Sequence, residues 1–171
     1  MPHQTVGQAP AASYRLSDVF CEECVEMLSP DQQKTSVLTS LVALLARAGH
    51  VKFDRISDVV RALVAREGMG TTALGNGLAF PHTRTGAVRR SVGAIGAAPG
   101  GIDFASIDGE PTRLVFLLLS PKDGAAGHLK ILQQISELMS AQGLHRSLGV
   151  ERTPAALLSF LGITDDQCDG E

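Results

Sequence analysis

Residues 113–141 read RLVFLLLSPKDGAAGHLKILQQISELMSA, and the hydrophobic period changes in the middle of them. Arg113 to Pro121 is a brief apolar run closed by proline, with Val115 and Phe116 inside it. Its brevity and its β-branched and aromatic content predict a buried strand. From Ala125 onward, Leu129, Ile131, Leu132, Ile135, Leu138 and Met139 recur at helical spacing and predict a helix over 125–141.

The same alternation extends outward on the N-terminal side. SVGAIGAAP (91–99) is a second short apolar run ending in proline, joined to the first by the turn-rich GGIDFASIDGEP (100–111). Leu78–Phe80 reads as a brief strand leading into a loop at Pro81. Before it lie two helical patterns. One spans 32–48, with Ser29-Pro30-Asp31 as its start signal and Gly49 as its end. The other spans 54–67, with Asp54 as its cap and Ile56, Val59, Val60, Leu63 and Val64 on one face. Toward the C-terminus short helices are predicted at 144–148 and at 153–161, the latter capped by Thr153 with Pro154 at its first position. Strands interspersed with helices predict an α/β protein, one sheet covered by helices on its faces. A single domain over 14–162 is expected, between a small, polar, disordered lead (1–13) and an acidic tail (163–171).

Composition narrows the function classes. The 171 residues are 44% hydrophobic and 19% charged, a length suited to one core of ordinary size. Six Phe, one Tyr and no Trp leave that core to Leu, Val, Ile and Ala. Fifteen Lys and Arg against 18 Asp and Glu give a net charge of −3, which argues against a nucleic-acid partner. No apolar run approaches the ~18 residues of a membrane span. The first residues do not read as a signal peptide, so a soluble cytoplasmic protein without membrane insertion is expected. Cys21 and Cys24 form a CEEC pair. Zinc would need two more ligands at suitable spacing, and the flanking acids disfavour a reactive thiolate, so a structural or incidental role is expected.

Of the five histidines, His3, His50 and His145 read as surface residues. His82 differs, because it follows a short strand and a proline and is preceded by Thr71, Thr72, Gly75 and Gly77. Such a loop presents a side chain at a strand end beside free amides, which suits a nucleophile or a phosphate ligand. His128 sits in the first turn of a predicted helix, where unpaired N–H groups favour anions. A neutral imidazole can attack a phosphoryl donor at neutral pH, provided other donors meet the charge on its oxygens. Alone, the bland readings stand beside this one: Arg66 as a helix-end cation, Thr72 as turn chemistry, Asn76 as a left-handed turn residue. A metal-dependent hydrolase built on the two histidines would lack a carboxylate–His ligand cluster.

MGTTALGNGLAFPHTR (69–84) resembles the phosphohistidine motif of enzyme IIA domains of the fructose/mannitol and nitrogen-regulatory branch of the phosphoenolpyruvate-dependent phosphotransferase system. IDFASIDGEPTRLVFLLLSP and the following GHLKILQQIS are similar to the next two landmarks of that family. The resemblance covers about 14–162. It implies a three-layer fold, a mixed sheet flanked by helices on both faces. It also implies that His82 is the phospho-acceptor, and that His128, Arg66 and Thr72 support the transferred group, without metal or cofactor. Ala73 and Thr83 depart from a frequent glycine without removing a reacting group. The implied donor is an HPr-type phosphocarrier protein. The implied recipients are regulatory target proteins or, in a sugar-transport version, an enzyme IIB. GNG-x-A-x-PH leans to the nitrogen-regulatory subgroup. A binding module of the same fold that is never phosphorylated is the alternative from another class.

Overall fold

The computed structural model describes residues 14–140 and 153–164. The elements run α1 (Leu16–Val19), β1 (Val25–Met27), α2 (Lys34–Arg47), α3 (Ile56–Gly68), β2 (Ala73–Gly75), β3 (Leu78–Ala79), β4 (His82–Thr85), β5 (Val92–Ile102), β6 (Thr112–Pro121), α4 (Ala125–Ser140) and α5 (Pro154–Phe160). The predicted lead at 1–13, the helix at 144–148 and most of the acidic tail lie outside the described residues.

One six-stranded sheet carries the fold, in the order β1-β5-β6-β3-β2, with β4 also pairing β6. β5 and β6 run antiparallel from Val92 opposite Leu119 to Ile102 opposite Thr112. On the other side of β6, β3 and β4 follow one another as two parallel segments, Leu78 opposite Leu114 and His82 opposite Leu118. The sheet is therefore mixed. Side-chain alternation along β6 explains why it is buried on both faces. Val115, Leu117 and Leu119 join α2, α3 and Phe104 in one core. Leu114, Phe116 and Leu118 join Phe20, α4 and α5 in the other. Two cores on two faces make the three layers, so the expected α/β class and its single sheet hold.

Several boundaries differ from the sequence reading, each for a local reason. Ser29-Pro30-Asp31 closes a turn instead of starting a helix: the Ser29 amide donates to the Gln32 side chain at 2.8 Å, and α2 begins only at Lys34. Asp54 sits inside a 3-10 helical turn, Phe53–Arg55, and does not cap α3. Thr153 does cap α5, accepting from the Ala156 amide at 3.2 Å, with Pro154 next. The loop expected after Pro81 is in fact strand β4. β1 and β2, three residues each, carry too little pattern to be read as strands from sequence. Close packing rather than turn geometry demands glycine at 93, where a Cβ would lie 2.2 Å from the Phe20 ring. Among the described residues, no helix is long and apolar enough to cross a membrane.

Candidate functional site

β4 and α4 deliver the two histidines to the same end of β6. His82 opens β4 opposite Leu118; three residues beyond Leu118 the strand ends at Pro121, and a short turn enters α4 with His128 in its first turn. The two imidazole centroids are 5.4 Å apart, tilted by 51°. The ring of Phe80 stacks on that of His82 at 5.8 Å and 17°.

Each ring is held through its Nδ1, by different means. For His82 the partner is the Phe80 main-chain carbonyl at 2.9 Å. A carbonyl only accepts, so Nδ1 carries the proton and Nε2 keeps its lone pair. For His128 the partner is the Ser120 hydroxyl at 2.8 Å, and Ser91 donates to Ser120 at 3.0 Å. With Ser91 donating, the Ser120 hydroxyl is free to donate to Nδ1 of His128, and in that tautomer Nε2–H is a donor. Ser120 is fully buried and His128 nearly so.

Burial also sets the protonation. It lowers the His82 pKa below 6.5; Arg66 lowers it too, while the Phe80 carbonyl and Glu67 pull the other way. His128 falls further, to about 4, through burial first, then His82 and Arg84. Both rings are therefore neutral at neutral pH. Arg84 is anchored next to this end of the sheet by a bond from Nη1 to the Lys122 carbonyl at 3.2 Å.

Arg66 lies in the last turn of α3, where its Nη1 donates to the Gly70 carbonyl at 2.9 Å. Thr72 is buried, and its side chain faces the carboxylate of Glu67: the hydroxyl donates to Oε1, and the amide donates to Oε2 at 3.2 Å. Lys34 completes this cluster with a 2.9 Å ion pair to Glu67 and its ammonium 4.7 Å from the Phe104 ring centroid. The sequence reading named His82, His128, Arg66 and Thr72. The structure brings the two histidines together, with Arg66 within electrostatic reach of His82, and commits the Thr72 hydroxyl to Glu67. Glu67, Ser91, Ser120 and Arg84 were not anticipated. A serine ending an otherwise apolar strand was the available signal for Ser120.

The loop before β3 is shaped by Asn76, whose φ of 56° is the left-handed conformation expected of it. Its amide donates to Asp108 Oδ2 at 2.9 Å. Asp108 also accepts from Ser106 and the Glu110 amide, and these bonds hold its carboxyl below the usual range. Met69, Leu74 and Leu129, on the segments that flank the histidines, are exposed.

A mixed sheet between helical layers is the fold that solved enzyme IIA proteins share with this chain. The nitrogen regulatory protein IIA-Ntr of Neisseria meningitidis superposes with a TM-score of 0.75 at 26% identity, covering 85% of this chain and 98% of its own. The mannitol IIA of Escherichia coli, at 0.66 and 19% identity over 81% and 96%, shares the fold. Residues 18–162 match the family model described as phosphoenolpyruvate-dependent sugar phosphotransferase system, EIIA 2, and the chain belongs to that family. Among curated relatives, a nitrogen regulatory protein of Bradyrhizobium diazoefficiens is 35% identical over 81% of this chain and 90% of its own. A fructose-specific EIIA component of Haloferax volcanii is 32% identical over 78% and 85%.

Proposed function

We propose that the chain is a cytoplasmic phosphohistidine carrier, in which Nε2 of His82 accepts a phosphoryl group from the phosphohistidine of an HPr-type phosphocarrier protein. One observation carries this reading. His82 has its Nδ1 proton fixed on the Phe80 carbonyl, its ring neutral and a second neutral imidazole 5.4 Å away. The lone pair of Nε2 attacks phosphorus, the N–P bond of the donor breaks, and its electron pair stays on the donor imidazole. Positive charge then builds on the His82 ring, where the Phe80 carbonyl and the nearby Glu67 carboxylate stabilise it.

The phosphoryl oxygens need donors that are already in place. Nε2–H of His128 is one. The guanidinium of Arg66, one of whose five N–H groups is drawn to Gly70 among the described residues, is another. Thr72 acts through Glu67, fixing the carboxylate and the start of the glycine loop. Protein groups thus meet the charge, and the reading includes no metal or cofactor. Exposed Met69, Leu74 and Leu129 suit an apolar rim that docks partner proteins.

Two relatives favour two fates for the group. Kinship at 35% with a nitrogen regulatory protein supports regulation, in which the phosphorylation state of His82 tunes binding to target proteins. The fructose-specific relative at 32% supports a second reading, transfer to an enzyme IIB. We place the working unit at 14–162. The test is incubation with phosphoenolpyruvate, enzyme I and HPr, scored as acid-labile phosphate on the protein. The wild type is expected to take up one group and His82→Ala none. An unlabelled wild type in a relay that labels a control IIA overturns the reading in favour of an unphosphorylated binding module.

A further inference from the structure

Away from the paired histidines, three metal-ligating side chains meet at the start of the fold. Cys21 precedes and Cys24 ends a single 3-10 helical turn, Glu22–Cys24, and their sulfurs lie 3.2 Å apart. His50 reaches them from the far end of α2. Gly49, at φ 82°, reverses the chain there, and the His50 amide donates to the Leu45 carbonyl at 2.9 Å. One ligand atom from each of the three residues lies within 4.8 Å of the other two. The sequence by itself offers no further ligand near the CEEC pair at suitable spacing. The third ligand is supplied by tertiary structure, from a residue read as a surface histidine.

The donor set selects the occupant. Thiolates and an imidazole suit zinc and disfavour magnesium or calcium, which take oxygen. Zinc bonds of about 2.3 Å to sulfur and 2.0 Å to nitrogen, at tetrahedral angles, put the donor atoms about 3.5–3.8 Å apart. The sulfurs lie 3.2 Å apart and all three donor atoms within 4.8 Å of one another, so side-chain rotations can bring them to that range. Cys21 and His50 are half-buried and can make them, while Cys24 is held in the core. A cavity of about 590 Å³, lined by His50, Val51, Ala87 and Val88, opens beside the imidazole and gives an ion and its water a way in. Two further charges face His50, the carboxylate of Glu23 and the guanidinium of Arg90.

We propose that Cys21, Cys24 and His50 form a zinc site, with a water molecule from the adjoining cavity in the fourth position. On binding, each thiol releases its proton to solvent, and two thiolates balance the two charges of the cation. The ion ties the segment before β1 to the end of α2.

The test uses the full-length chain with Cys168→Ser, which removes a competing thiol, reduced, metal-free and kept under anaerobic conditions. Titration with Co²⁺ is expected to give thiolate-to-cobalt charge-transfer absorption that saturates at one equivalent and is displaced by Zn²⁺. Zn²⁺ is also expected to raise the melting temperature. His50→Gln and Cys21→Ser, at half-buried positions, are expected to weaken Zn²⁺ binding by about tenfold or more and to remove the thermal gain. These two variants keep the test decisive if Cys24→Ser fails to fold. Two outcomes overturn the proposal. One is a protein with both thiols reduced that shows no charge-transfer band at stoichiometric Co²⁺. The other is a His50→Gln variant that binds Zn²⁺ as tightly as the parent. Ready oxidation of the pair to a disulfide, with no metal uptake by the reduced protein, counts as the first.

Discussion

His82 and His128 are 5.4 Å apart, yet the protein holds them in opposite ways. His82 is half-buried and leans on a main-chain carbonyl. His128 is buried and leans on a side-chain chain, Ser91 to Ser120. The first arrangement survives any side-chain substitution that keeps the backbone. The second depends on two specific hydroxyls. In the proposed function, the ring that reacts thus has a main-chain anchor, and the ring that only donates has one that depends on side chains.

The sharpest way to break the pairing is His128→Ala. Removing a pre-placed donor from a transferring group costs about 10²–10³ in rate. Phosphoryl uptake by His82 should slow by that order, measured by rapid-quench transfer from phosphorylated HPr, while the endpoint stays at one phosphate. His128→Gln, which keeps an N–H, should recover part of the loss.

Acid separates the two rings next. With a folded pKa of about 4 against an ordinary 6.5, His128 resists protonation only in the folded state. The unfolded chain therefore binds more protons between those values, and stability falls as pH drops from about 6.5 to 4. The full effect of this one ring is on the order of 3 kcal/mol, from the size of the shift. Denaturant midpoints measured across that window should fall steeply in the wild type and flatten in His128→Gln.

Ser120→Ala tests the side-chain anchor alone. It leaves Nδ1 of His128 without its partner in a buried place, a loss of about 1–3 kcal/mol in stability. It also frees the ring to place its proton on either nitrogen, so transfer should slow by roughly tenfold, at 1.4 kcal/mol per decade. Ser91→Ala, one bond further out, should cost about 1 kcal/mol or less and change the rate least. No comparable side-chain variant exists for the His82 anchor, and that asymmetry is itself the point to check.

How much of this was legible in the sequence follows the same division. His82 and His128 could be singled out, because each stands beside glycines at a predicted element boundary. Their holders could not. Ser91 and Ser120 meet only because β5 and β6 pair antiparallel, and Glu67 meets Thr72 only after α3 ends and the chain turns back. The long strands announced themselves by apolar runs. β4 did not, since HTRT has no such run and forms a strand through pairing with β6. The nearness of His50 to Cys21 and Cys24 was hidden for the same reason: it is set by the turn after α2 and not by its own surroundings in the chain.

The strand order has a consequence for handling the protein at high concentration. β6 lies inside the sheet, paired to β5 on one side and to β3 and β4 on the other, and the strands at the margins beyond these, β1 and β2, are three residues each, β2 with an irregular register. Short, uneven margins offer poor templates for edge-to-edge pairing with another copy. The long apolar run of β6, paired on both sides, is thus kept from contact with the backbone of another copy.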